Sequence, residues 1–399
     1  MKKLLLLGGS RYLLPVIQAA HNLGVYVITC DYLPENIAHN YADEYHNVSI
    51  TDQEAVLALA KKLKIDGILS FATDPGVVVA AYVAEQLDLP GCPYESVKIL
   101  QNKDLFRNFL RENGFQTPKA KGFSSVNEIS NIIKEFSFPV IIKPVDSAGS
   151  KGVTRVDSVI QLIDAVKYAL QYSISGKCIV EEFIEQAGSS SDTDCFSVNN
   201  RLALASFSCQ YFDRNAANPY APSAYSWPSD MPAKKIAELR AELQRLIQLL
   251  NLGTSIYNVE TRVGKNGKAY IMEFTPRGGG NRLSEMLRYA SGQDLIACNV
   301  KGALGLPIEG LCDPDYKGVW AEYILHSNES GVFSHLEMAP SFENEHVIEK
   351  DIWVKAGDSI RSFTGANEAI GTFVLRFENQ EQMRTAIEEI EKHIKVVLR

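Results

Sequence analysis

The stretch YNVETRVGKNGKAYIMEFTPRGGGNRL, residues 257–283, holds two runs of alternating apolar and polar side chains on either side of Asn266-Gly267. Asn-Gly between such runs is the strongest short-range signal for a β-hairpin with a two-residue loop. With those two residues as the loop, Lys265 pairs with Lys268, and counting outward sets Glu260 opposite Glu273 and Asn258 opposite Thr275. Two carboxylates facing each other on one side of a hairpin, with side chains about 5 Å apart, repel. A hairpin kept for stability alone would avoid that pair. A divalent cation between them removes the conflict, and oxygen donors without His or Cys specify magnesium. Just beyond, Arg277 and Arg282 supply positive charge for a phosphate or a substrate carboxylate.

Working back along the chain, VIIKPVDSAGSKGV (140–153) reads as a buried strand that ends in Lys143 and runs into a loop of Gly and Ser. A lysine at the end of a buried strand is costly without an anion, so Lys143 asks for a phosphate. The loop Asp146-Ser147-Ala148-Gly149-Ser150-Lys151-Gly152 can turn tightly and offer successive N–H groups to phosphate oxygens. Taken alone, it is also an ordinary turn. IVEEFIEQ (179–186) is either an edge strand with solvated carboxylates or a source of backbone groups for an adenine edge, and Asp192 and Asp194 downstream offer a carboxylate to a ribose.

A chain of 399 residues exceeds what one hydrophobic core usually serves, so two or three domains are expected. The net charge of -8 and the lack of any basic run argue against a sequence-independent grip on nucleic acid. Seven scattered cysteines with no CxxC pair read as reduced thiols without a zinc site. MKKLLLLGGS looks like a secretion signal, but its apolar run is short and stops at glycines, so a first buried strand is the better reading. No stretch is long enough to cross a membrane, and a cytoplasmic location is expected.

Residues 1–98 alternate strand and helix patterns, predicting a small doubly wound α/β domain. Gly8-Gly9 with Asp31 invites a dinucleotide reading, but the GxGxxG spacing is missing, and Gly8, Gly9 and Ser10 fit a substrate-facing loop better. From residue 99 to 310 come a helix, short strands and Gly-rich turns. Residues 311–399 alternate strands and close on the amphipathic helix EQMRTAIEEIEKHI. The aromatic, Pro-rich segment 209–232 is long for a connector and reads as a substrate-facing loop.

The three chemical stretches, in this order and preceded by Lys103 in QNKDLFRNFLRENGFQTP, resemble the ATP-grasp superfamily, which includes biotin carboxylase, carbamoyl-phosphate synthetase and the amino-acid ligases. The resemblance covers roughly residues 1–310. It implies an N-terminal Rossmann-like domain (1–98), two α+β lobes gripping ATP (99–310) and a C-terminal α+β domain completing the site (311–399). It also implies that Lys103 and Lys143 hold ATP, that Ser147, Gly149, Ser150, Lys151 and Gly152 belong to a mobile phosphate lid over 146–153, and that Glu181, Phe183 and Ile184 form the adenine hinge. Asp194 is placed with the nucleotide. Glu260 and Glu273 become magnesium ligands, with manganese able to substitute, and Arg277, with Arg282 beside it, stabilises the transferring phosphoryl. One departure stands out: where the family commonly has asparagine after the second glutamate, this chain has Thr275, a weaker ligand, so the second magnesium is held through water or with help from Asn258.

With no Cys-His or Ser-His arrangement, catalysis is expected to be positioning and charge neutralisation: a carboxylate is activated as an acyl phosphate and an amine attacks it. The expected partners are small-molecule carboxylate and amine substrates, with neither nucleic acid nor membrane, and a homodimer is left open. A bicarbonate-using carboxylase and a catalytically inactive ATP-binding regulatory protein are the competing readings.

Overall fold

Four consecutive leucines, Leu4–Leu7, are fully buried, as an apolar run covered on both faces of a parallel sheet must be. In the computed structural model, which describes residues 1–147 and 149–399, the strand Lys3–Leu7 lies between Tyr26–Asp31 and Gly67–Ser70 in a four-stranded parallel sheet edged by Glu44–Asn47. Helices Leu14–Asn22, Gln53–Leu63 and Asp74–Gln86 accompany it, so the doubly wound reading holds. The turns after Leu7 and Ser70 emerge at the carboxyl ends of these strands, where open α/β sheets take their ligands. Gly9 is a glycine for a steric reason: a Cβ there would stand 2.5 Å from the His39 ring.

Two antiparallel four-stranded sheets follow. The smaller orders Ala120–Phe123, Cys178–Glu182, Val140–Pro144 and Thr154–Val156, and the larger orders Arg201–Leu204, Ser191–Val198, Ser255–Val263 and Ala269–Thr275. The helix Lys103–Glu112 precedes both in the chain. The Asn102 side chain starts it by accepting from the Asp104 and Leu105 N–H groups, which satisfies donors that the first turn leaves free.

The third element corrects the sequence reading. Segment 209–232 is not a long loop: Cys209–Phe212 and Pro222–Trp227 are strands of a five-stranded sheet completed by Val319–Leu325, Gly371–Phe377 and Val347–Ile352. Tyr225 and Trp227 are buried in it rather than displayed. The sheet therefore draws strands from both sides of residue 310. The expected closing helix is split into Gln380–Glu388 and Ile390–His393, and the strands Gly331–Met338 and Ile394–Leu398, which the sequence pattern did not reveal, pair with each other. Among the described residues no helix is long and apolar enough to cross a membrane.

The N-terminal domain meets the larger lobe at the turn after the hairpin. The Ala72 N–H donates to the Gly278 carbonyl at 3.0 Å, and a Cβ on Gly278 would lie 2.1 Å from the Phe71 ring, whereas one on Gly280 meets nothing within 4 Å. Overpacking of this kind costs ~1–3 kcal/mol. Urea denaturation should therefore find Gly278→Ala destabilised by that amount and Gly280→Ala within ~0.5 kcal/mol of wild type; equal effects would refute the close approach.

Candidate active site

The hairpin reaches the expected register by an unexpected route. Val263 pairs with Ala269, the Gly264 N–H donates to the Lys268 carbonyl at 2.9 Å, and Gly267 has φ 74°, so the loop is Lys265-Asn266-Gly267. The predicted pairing of Lys265 with Lys268 is wrong by one residue, because Gly267 takes the left-handed position of a three-residue loop rather than of a two-residue one. Pairing then slips between Glu260 and Thr261, leaving Met272 as an extra residue, and this bulge restores the count. Glu260 does lie opposite Glu273, and Asn258 opposite Thr275.

The neighbouring strand extends both rows. Asp192 stands beside Glu260 and Asp194 beside Asn258, so one face of the sheet carries the row Asp192–Glu260–Glu273 and the row Asp194–Asn258–Thr275. Adjacent residues in neighbouring strands share a face, but nothing local in the sequence says which strand flanks the hairpin, and Asp192 was not placed with Glu260 for that reason.

Each central glutamate already has a cation: Arg262 is 3.3 Å from Glu260 and Lys103 is 3.5 Å from Glu273. This corrects the idea that only a metal ion reconciles the pair. Burial raises the Glu260 carboxyl, and Glu273 adds to that against the opposing pull of Arg262; for Glu273, burial is outweighed by Lys103, Lys143 and Arg107, which hold it below its ordinary range. Asp192 is pushed up to about 7, first by burial and then by Glu260. It accepts from the Asn258 amide at 2.8 Å and the Tyr225 hydroxyl at 3.2 Å.

Asp194, expected at a ribose, is fully buried; it accepts from the Gly279 N–H at 2.8 Å and from the Ser284 hydroxyl, and burial raises it to about 6. It fixes the glycine turn after the hairpin. Thr275 is buried, and among the described residues no three His, Cys, Asp or Glu side chains converge, so the oxygen donors here amount to the two facing glutamates with Asn258 and Thr275, a number that suits magnesium shared with phosphates.

On the smaller lobe the anion sought by Lys143 turns out to be a side chain. Lys143 Nζ lies 2.8 Å from Glu181, and Arg107 Nε lies 2.9 Å from the same carboxylate. Burial alone would raise Glu181, yet the two cations bring it down to about 2. Arg107 also donates to the Met272 carbonyl at 2.8 Å, crossing to the hairpin of the other lobe. Sequence reasoning missed it, although Lys103, Arg107 and Leu110 share one helical face by their spacing.

The Phe183 ring lies under the Arg155 guanidinium at 4.5 Å, and the buried Ile184 offers its carbonyl to Arg262 at 3.4 Å. In the loop expected as a lid, the Ser147 carbonyl accepts from Lys103 at 2.8 Å, the Ser150 hydroxyl donates to the Tyr220 carbonyl at 3.3 Å, and Lys151 is exposed. Gly149, Ser150 and Gly152 all have positive φ; Ala148 lies outside the described residues. Arg277 grips Asp74 of the N-terminal domain through contacts of 2.9 and 3.1 Å. Arg282 pairs with Glu285 at 3.0 Å and Glu349 at 2.6 Å.

Two antiparallel lobes joined by buried cations, with a carboxylate row on one and a lysine-glutamate pair on the other, agree with what comparison finds. Residues 17–91 match the family model of the ATP-grasp N-terminal domain, and residues 136–285 match that of the ATP-grasp domain. The chain belongs to the ATP-grasp superfamily. It is 22% identical over 322 residues to the carbamoyl phosphate synthase large chain of Thermoanaerobacter sp. (strain X514), covering 79% of this chain but only 29% of that protein. It is 26% identical over 318 residues to the formate-dependent phosphoribosylglycinamide formyltransferase of Burkholderia pseudomallei (strain 668), covering 77% of this chain and 76% of the other. Among solved structures, the L-amino acid ligase from Bacillus licheniformis superposes with a TM-score of 0.84 at 20% identity, covering 100% of this chain and 99% of that one.

The buried carboxylate of this ATP-grasp fold ties stability to pH. The folded pKa of Glu181, about 2, lies below its ordinary value of 4.5. The native state thus releases this proton more readily, and the stabilisation is present above the ordinary value and lost as pH falls toward the folded one. Replacing one partner of a buried pair costs ~3–5 kcal/mol. Denaturation of wild type and Glu181→Gln from about pH 6 down to about pH 2 should show the variant's deficit shrinking with acid; a constant deficit would refute the pairing.

Proposed function

We propose that this protein is an ATP-dependent carboxylate–amine ligase that activates a carboxylate as an acyl phosphate and transfers it to an amine, releasing ADP and phosphate. The supporting observation is the carboxylate row Asp192–Glu260–Glu273 on one lobe, facing Lys103, Arg107 and the Lys143–Glu181 pair that join it to the other. Lys143 spends one of its three N–H donors on Glu181, leaving the rest for phosphate oxygens; Lys103, beside Glu273, spends one on the Ser147 carbonyl. With Glu181 occupied by two cations, the adenine hinge falls to the backbone and side chains at Phe183 and Ile184.

Glu260 and Glu273, with Asn258 and Thr275, would hold magnesium: the donors are all oxygen, which suits a hard cation. Manganese takes similar ligands. Such an ion supplies charge neutralisation at the phosphates. The lysines cancel charge on the phosphoryl group, and Arg277, held in place by Asp74, presents its guanidinium at the junction where the N-terminal domain brings the substrate. A carboxylate oxygen attacks the terminal phosphorus as ADP leaves; the amine nitrogen then attacks the acyl carbon, and the carbon–oxygen bond to phosphate breaks. Closure of residues 146–153 would shield the acyl phosphate from water.

Glu273→Gln keeps the side chain's shape and its place beside Lys103 while removing one of the two facing charges. With magnesium and ATP, ADP release over a panel of carboxylates and amines should fall at least ~100-fold with thermal unfolding little changed. Turnover at the wild-type rate would place the metal elsewhere. Bicarbonate belongs in the panel, because the likeness to carbamoyl phosphate synthase favours it as the second reading.

A further inference from the structure

Glu322 lies at the centre of the five-stranded sheet, fully buried. Neither of its carboxyl oxygens has a hydrogen-bond partner among the described residues. A buried polar group without a partner costs several kcal/mol and asks for an explanation.

Its surroundings are built for charge. One row across the sheet runs Gln210, Tyr225, Glu322, Val374, Glu349. Above it Arg282 is already shared by Glu285 and Glu349 and donates to Thr372, so one guanidinium faces three carboxyl groups. Tyr12 donates to the Asn281 side chain, which donates to the Tyr225 hydroxyl, each at 3.3 Å, and Tyr225 reaches Asp192 at 3.2 Å. That chain of contacts connects the surroundings of Glu322 to the carboxylate row beside Glu260. A cavity of about 10 Å³, room for one water-sized group, lies against Tyr12, Phe71, Gly279, Arg282, Ser284 and Glu285.

We propose that Glu322 binds the primary ammonium group of the substrate that occupies this junction, with the Tyr12 and Tyr225 hydroxyls and Glu285 around it. The inference rests on the ligase reading and narrows it to substrates that carry such a group. Three N–H donors of an ammonium match the two unpartnered oxygens and the adjacent hydroxyls, and its charge offsets the surplus of carboxyls.

Burial, with Glu285 adding to it and Arg282 opposing, raises the Glu322 carboxyl well above the ordinary range. The groups facing it are Tyr12 with Arg11, Tyr225, Arg282, Glu285 and Glu349, and burial pushes both tyrosines up as well, so they stay neutral. Because the native state keeps a proton that the unfolded chain gives up, stability declines as pH rises above the ordinary carboxylate range.

The test is calorimetry on the full chain with magnesium and a non-hydrolysable ATP analogue, using matched probes: L-alanine against L-lactate, β-alanine against 3-hydroxypropionate, and ethylamine against ethanol. At least one ammonium probe should bind about ten-fold or more tightly than its hydroxyl twin. Glu322→Gln should lose the preference while melting no lower than wild type at neutral pH. Absence of any preference in wild type overturns the inference, as does its survival in Glu322→Gln or in the shortened Glu322→Asp. Binding of the nucleotide analogue, measured on the same samples, reports separately on the ligase reading.

Discussion

Arg107, Glu181 and Lys143 form a charge cluster sealed from solvent between the two central lobes, and most of the site depends on it. Such a cluster adds little net stability, since desolvation consumes most of the attraction, but losing any member strands a buried charge. What it sets is geometry. Arg107 spends its other donors on the Met272 and Ile271 carbonyls, so the strand bearing Lys143 and the hairpin bearing Glu273 are held at one separation by a single guanidinium. The bulge at Met272 is thus tied at the same point that restores the glutamate register.

A second set of contacts attaches the N-terminal domain. Arg277 on Asp74, the Ala72 N–H on the Gly278 carbonyl, and Tyr12 on Asn281 all converge on the turn after the hairpin, whose own shape is fixed by the buried Asp194. The carboxylate rows and the junction with the N-terminal domain are therefore two ends of one segment, residues 273–285. Positioning of this kind is what phosphoryl transfer asks of a protein that contributes little covalent chemistry.

Much of this was readable in the residues. The buried leucine strand, the hairpin glutamates and the strand-end lysine were each carried by local pattern. The register came out correctly through two errors that cancel, a loop one residue longer than expected and a bulge one residue wide, and no local rule anticipates the bulge. What pattern could not supply was partnership across distance. A desolvated lysine demands an anion, but whether a phosphate or Glu181 answers depends on strand order, and Asp192 joins the row only once its strand is known to flank the hairpin. The segment 209–232 misled because Pro222 opens one of its strands and Pro228 follows its end, where proline is tolerated, so its punctuation resembles that of a loop.

The five-stranded sheet also constrains how the chain comes to be folded. Trp227 pairs with Trp320, and the hairpin, the glycine turn and three helices intervene in the chain. During synthesis the strand Pro222–Trp227 leaves the ribosome with one side of its backbone unpaired and must wait for Val319–Leu325 before Tyr225 and Trp227 are covered. Loop closure over such a span is slow, and an uncovered strand edge invites pairing with other chains. The nucleotide-binding lobes are therefore not an independent folding unit that the C-terminal region merely decorates: the last quarter of the polypeptide closes an edge that the middle leaves open, and a nascent chain stopped short of it carries that edge exposed.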